Sequence, residues 1–410
     1  MYYPRRFCPR AVPCGDESVL RTLKQAGLSA GRACGLFKLA SSSHFRNSRL
    51  LVLGYHGVSL EDEHHWNPSV FLSPEVFRCR MEALKRVGCT ILSLEEGLGL
   101  AAEGRLPDRA VVLSFDDGTY DFCKTVCPIL REFGYPATLY LTTYYAELQY
   151  PVPREIWSYM LWKTNVSSVN ASEILGKDVT FNLKENSGRE EAFRQIVSFA
   201  DSENMDGHRR NALSAKLAQL LEINFDSLCR RRLCQLLNSE EVHELVHSGV
   251  SVQMHMHHHR SPATREAFID NLQTNRTLIK KMTGIEPNHF CYPSGYYNRE
   301  SVSWLREYGI ESATTCDPGL CSAKTDPLLV PRLIDSSYIS NTGFESWLVG
   351  IGALISRVGA LVPRAATRNR SSGQFRCKGR GLPGTYNGAR HLAQGISGRA
   401  LAHFPIPRNR

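Results

Sequence analysis

The 410-residue chain reads as an α/β protein built on parallel strands. Three observations carry that expectation. Short β-rich runs alternate with helical patterns through residues 50–345, two of those runs end in clusters of ionisable side chains, and the length can bury a large core. Strand–helix alternation of this kind predicts right-handed crossovers, and hence an α/β barrel or an open parallel sheet. A composition of 42% hydrophobic and 22% charged residues excludes a wholly disordered chain, a collagen and a coiled coil.

In chain order, residues 1–49 form a basic N-terminal extension. Strands are then expected at Leu50–Tyr55, Cys89–Leu94, Ala110–Phe115, Pro136–Leu141, Val250–Met254, His289–Tyr292 and Glu311–Thr315. Ser73-Pro74 supplies a cap and a first-turn proline for a helix that Gly88 ends. Asn238 and Glu241 have capping-box spacing before a helix stopping at Gly249. A further helix runs from Pro262 to Gly284, and Asn298 caps one ending near Gly309. Residues 151–238 break the rhythm: helical, polar and poor in strand signal, they read as an insertion beside the strand ends. Apolar residues at Leu348, Ile351, Ile355, Val358 and Val362 recur at three and four, predicting one amphipathic helix that closes the core. That stretch is too short to span a bilayer and Arg357 interrupts it, so no transmembrane anchor is expected. The domain therefore runs over 50–364. Residues 365–410 lack the apolar surface to offset their ordering entropy and read as a disordered basic tail.

The formal charge of +9 suggests an anionic partner until it is divided. Residues 1–49 hold nine Lys/Arg and two acids, residues 346–410 hold eleven and none, and the body between holds 29 against 38. The body is acidic and its ends are basic. No aromatic interleaving accompanies the tail's arginines, so a nucleic-acid partner is not expected. The thirteen cysteines are scattered, and none of the close pairs has zinc-knuckle or redox spacing. They read as mostly free buried thiols in a reducing compartment. No apolar run of signal-peptide length follows Arg5, Arg6 and Arg10, which suits a cytoplasmic protein, including one at the membrane face.

Two motifs carry the chemistry. In Val111-Val112-Leu113-Ser114-Phe115-Asp116-Asp117-Gly118, a buried strand ends in adjacent carboxylates and a turn glycine. Sites in parallel α/β folds lie beyond the carboxyl ends of strands. Neighbouring carboxylates repel unless one holds a cation or proton, so the natural division is one metal ligand and one general base. An Asp-Asp-Gly turn capping the next helix is the plainer alternative. The run Val250 to Met254 leads into His255-Met256-His257-His258-His259. Four imidazoles in five residues are costly to bury without polar partners, and histidine is the commonest metal ligand. A surface poly-His loop is the alternative here.

Together, SFDDG and the HxxxH pair resemble the polysaccharide deacetylases of the NodB-homology type, over about residues 50 to 345. The resemblance extends to Tyr55-His56-Gly57-Val58, to Cys291-Tyr292-Pro293-Ser294-Gly295, and to Asp317-Pro318 with Pro331-Arg332. It implies a distorted (β/α) barrel, here with a helical insertion, that hydrolyses N- or O-acetyl groups of sugars with a divalent cation, commonly zinc, with cobalt or manganese as alternatives. Carried over, Asp116 is the general base acting on metal-bound water, and Asp117, His255 and His259 are the metal ligands. Ser294 supplies an oxyanion-binding N–H, with Tyr292 beside it on the substrate side. His257 and His258 have no metal role in that pattern and are expected to face away or support the ligands.

This chain departs from the pattern twice. The family's third motif usually carries an arginine that orients the aspartate; Cys291 stands there, and Arg332 is the substitute expected from another strand. The usual late general-acid histidine is also missing. After Asp335 the histidines are His391 and His403, so His56 is the residue expected in that role, a buried hydrogen-bonded histidine at the barrel mouth being the plainer alternative. The expected substrate is an acetylated amino-sugar polymer or glycan precursor. A catalytically impaired barrel that keeps its metal and binds glycan is the main rival, favoured by Cys291 and opposed by the intact Asp116-Asp117 pair.

Overall fold

The structure, a computed structural model, describes residues 15–361; the expected tail, with His391 and His403, and residues 1–14 lie outside the described residues. Seven strands occur where the sequence places them: β1 (Leu51–Tyr55), β2 (Thr90–Leu92), β3 (Ala110–Asp117), β4 (Ala137–Leu141), β5 (Val250–Met254), β6 (His289–Cys291) and β7 (Ser312–Thr314). An eighth, β8 (Leu333–Ile334), is two residues long and carries no periodic signal of its own. All pair in parallel, in the order β7-β6-β5-β4-β3-β1-β8, with β2 on β3. One edge of β3 pairs with β1 over residues 111–115; the other pairs first with β2 at residues 110–112, then with β4 from Ser114 onward.

The sheet curls into a distorted barrel, and the last strand segment draws its ends together. Val330 donates to Ala313 O and accepts from Thr315 N, both at 2.9 Å, so it lies against β7. Three residues later Leu333 and Ile334 pair with Leu53 and Gly54 of β1. The two faces of the sheet differ as period two requires. Leu51, Leu53, Val111, Leu113, Leu139, Val252, Met254 and Phe290 belong to one apolar cluster shared with the flanking helices. The opposite face carries Ser114, Asp116, Thr138, His255, His289, Cys291, Ser312 and Thr314, all buried. Fully buried polar side chains on one face of a curled sheet mark where the chemistry sits.

The caps act as expected. Ser73 accepts from Val76 N, Gly88 ends its helix in the left-handed region, and Asn238 and Asn298 each form a reciprocal box. The single C-terminal helix expected from the spacing does not form, and Val362, the last position of that pattern, lies outside the described residues. Asn341–Leu348 and Ile351–Leu361 are two helices, separated at Gly350 (φ 86°), and their apolar positions share one period only by coincidence of the turn. No helix of the described residues is long and apolar enough to cross a membrane.

Residues 15–49 do more than extend the chain. They form helices Gly15–Ala33, Leu36–Ser41 and His44–Asn47, and Leu28 and Phe37 bury against Val349. Arg46 is fully buried and donates to Leu348 O (2.6 Å), Arg49 O (2.7 Å) and Ala110 O (3.0 Å), which staples this segment to β3 and the C-terminal helices. The insertion has its own apolar cluster around Trp157, Ile196 and Leu217, within helices Pro153–Lys163, Asn186–Ser202 and Gly207–Leu220. It also holds an antiparallel pair of three-residue strands, Ser168–Asn170 and Thr180–Asn182, too short to register as a pattern. The ten described cysteines are all free, but only four of them are buried.

Candidate active site

Asp116 and Asp117 end β3, and the pleat sends their side chains to different partners. Asp116 is buried beneath Arg332, whose two terminal nitrogens reach its two carboxylate oxygens at 2.8 Å each. This is the planar two-pronged pairing that only arginine provides. Arg332 also donates to Thr315 O (2.9 Å) and Ser114 Oγ (3.1 Å), and lies 3.1 Å from Cys291 Sγ. The guanidinium fits because Gly54 faces it: a Cβ there would stand 3.4 Å from its central carbon and 2.5 Å from the Ile334 side chain. Burial alone would raise the Asp116 carboxyl, but Arg332 outweighs it and holds the group at about 2.

Asp117 turns the other way, at a φ of 73°. The next residue, Gly118, has φ 84°, and a Cβ on it would meet Leu141 Cδ1 at 2.3 Å, so the turn requires glycine. Asp117 Oδ1 stands 3.3 Å from His255 Nε2 and 3.1 Å from His259 Nε2. This oxygen is buried and accepts no well-formed hydrogen bond. Burial raises the carboxyl, yet the two imidazoles hold it well below the usual range. Asp117, His255 and His259 offer one donor atom each, all within 4.8 Å of one another. His255 Nδ1 lies 2.8 Å from Cys291 O, where it can only donate, so in the neutral ring it is Nε2 that carries the lone pair. One carboxylate and two imidazoles so oriented fit a divalent cation. Asp116, His255 and Cys291 are also clustered, but Arg332 occupies that carboxylate.

The other expected residues divide. His56, directly after β1, brings Nε2 to 3.8 Å from Asp116 Oδ2. Ser294 is exposed in the left-handed region (φ 58°), and among the described residues no carbonyl accepts from its N–H. Tyr292 does not join the site. It lies on the apolar face, its N–H donates to Thr314 O and its hydroxyl to Leu328 O, so it has no donor left for substrate. His257 and His258 belong to neither candidate donor set among the described residues, and their Nδ1 atoms meet Thr143 Oγ1 (2.9 Å) and Asn271 Nδ2 (3.0 Å). Burial, then neighbouring His258, pushes His257 down to about 4, so its ring is neutral.

Asn275 and Asn271 belong to none of the sequence motifs but hold the histidine loop. Asn275 is fully buried; its Oδ1 accepts from His255 N (3.0 Å), and its Nδ2 donates to Leu141 O and Thr143 Oγ1 (3.0 Å each). One turn earlier, Asn271 Oδ1 accepts from His257 N at 2.8 Å. Helix Arg265–Thr283 therefore clamps the histidine loop with two asparagines. A signal existed: Phe268, Leu272, Asn275, Ile279 and Met282 form the buried stripe, and one polar residue interrupts it.

The chain matches the family model described as polysaccharide deacetylase over residues 103–169 and 196–313. The gap falls inside the insertion. No curated protein matches. Among solved structures, the chain is similar to the deacetylase PplD of Streptococcus pyogenes, solved with acetate (17% identity, 72% of this chain and 96% of that one, TM-score 0.48). It is similar too to IcaB of Ammonifex degensii (15%, 76% and 100%, 0.47). A de-N-acetylase from Aggregatibacter actinomycetemcomitans is comparable (16%, 73% and 99%, 0.46).

Proposed function

The chain belongs to the polysaccharide deacetylase family, and from that premise we propose that it hydrolyses N-acetyl groups, or O-acetyl groups, of an amino-sugar polysaccharide or glycan precursor with a divalent cation. The observation that carries this reading is the divergence of two adjacent aspartates, one onto Arg332 and one onto His255 and His259. Asp117, His255 and His259 would hold the ion, zinc being the borderline cation their donor set suits. A bound cation supplies Lewis-acid polarisation of the acetyl carbonyl and acidifies water.

The chain's own residues do the rest. Asp116, ionised at every working pH, receives the proton of the attacking water, and Arg332 fixes which way its oxygens face. The Ser294 N–H points a donor at the oxygen that gains charge. His56, within 3.8 Å of the same carboxylate, holds the proton that the leaving nitrogen requires. The pairing of Arg332 with Asp116 counts against the impaired-barrel reading, because it restores the contact that Cys291 forgoes.

The test is acetate release from an acetylated chito-oligosaccharide. Chelation should abolish it, and zinc, cobalt or manganese should restore it. Asp116→Asn should keep its metal content and lose turnover; full activity in that variant would remove Asp116 from the base role.

A further inference from the structure

A second pair of histidines lies outside this site. His243 and His247 are one turn apart on helix Ser239–His247, both exposed, and their Nε2 atoms approach to 3.2 Å. Two nitrogens bound to one zinc ion at 2.0–2.1 Å in tetrahedral geometry stand about 3.3 Å apart. The observed separation therefore equals the bite of that ion. The orientation is set from outside the pair. His243 Nδ1 lies 3.3 Å from the carbonyl of Met282, in the last turn of helix Arg265–Thr283, where helix carbonyls lack intrahelical partners. Donating Nδ1–H to that carbonyl leaves the Nε2 of His243 as a lone pair aimed at His247. Facing nitrogens at this distance need either one shared proton or a cation between them, since two protonated rings repel.

We propose that His243 and His247 form a second, surface divalent-cation site of the zinc or copper class, with solvent completing the coordination. His247 enters it as the Nδ1–H tautomer, so both Nε2 lone pairs meet the ion and no proton need be expelled. The site ties helix Ser239–His247, which leads into β5, to the helix that carries Asn271 and Asn275. It is independent of the ion assigned to Asp117, His255 and His259.

Equilibrium dialysis of the full chain against zinc alone reads the count directly. The unmodified chain should bind two equivalents; His243→Ala, His247→Gln and Asp117→Asn should each bind one; and Asp117→Asn with His247→Gln should bind none. Both histidines are exposed, so neither substitution opens the core. His247→Gln should also keep the deacetylase rate at saturating zinc. A His247→Gln chain that binds as much zinc as the unmodified one overturns the proposal. An Asp117→Asn chain that does so instead counts against the catalytic assignment and leaves the surface pair standing.

Discussion

Arg332 meets Asp116 through two parallel contacts of 2.8 Å, although 216 residues separate them in the chain. The pair is fully buried, so neither partner can be removed without stranding the other's charge. Arg332→Lys keeps the charge but loses the fork. It should lower kcat by about 10²-fold through misaligning Asp116, while KM changes little. Steady-state kinetics alongside far-ultraviolet circular dichroism checks this; near-normal kcat would show that orientation is immaterial.

Asn275→Leu fills the same space without the amide. The N–H of His255 and the carbonyl of Leu141 then lose their buried partners. The expected cost is about 2–3 kcal/mol of stability and roughly 10- to 100-fold in metal affinity. Urea titration and competition with a chromogenic chelator measure the two separately.

Asp121 gives the stability a pH dependence. Its carboxylate is buried and accepts from Val58 N at 2.7 Å; burial raises it to about 7, with hydrogen bonds only partly opposing. The folded chain thus keeps a proton that the unfolded chain has already released between about pH 4 and 7. More protons on the folded state means that stability falls as pH rises through this window and levels off above it. Asp121→Asn retains an acceptor for Val58 and removes the titration. The variant should match the parent near pH 4 and exceed it by a few kcal/mol at pH 8, read from urea midpoints at both.

Arg46→Met leaves the carbonyls of Leu348, Arg49 and Ala110 without their donor. A loss of about 3 kcal/mol is expected from those charge-assisted bonds. Differential scanning calorimetry should show the lowered melting point, with deacetylase turnover well below it unchanged.

What could be seen in the sequence was whatever is written locally. The runs leading to Phe115 and Met254 are apolar, buried and bounded, so their strands emerge within two residues of expectation. Ser73, Asn238 and Asn298 act within one turn and could be read at sight. Leu333–Ile334 is too short for any period, and the turn at Gly350 preserves the spacing of the apolar residues on either side. Tyr292 illustrates a parity error. A residue next to a site residue on a strand faces the opposite way, and Cys291 already takes the inward side. Arg332 could be named for Asp116 only through the family resemblance, and which asparagine holds His255 depends on a contact across the barrel that no window of sequence contains.

The segment from Val330 to Ile334 closes the ring and carries Arg332 in its middle. A ribosome delivers it after every other strand. Until then β3 can present its two aspartates, but nothing orients the first of them, and the edges of β1 and β7 stay open to pairing with other chains. Activity should therefore be absent until this segment has been made, if Arg332 orients Asp116 as proposed. A nascent chain stalled before residue 330 should be both inactive and prone to aggregate.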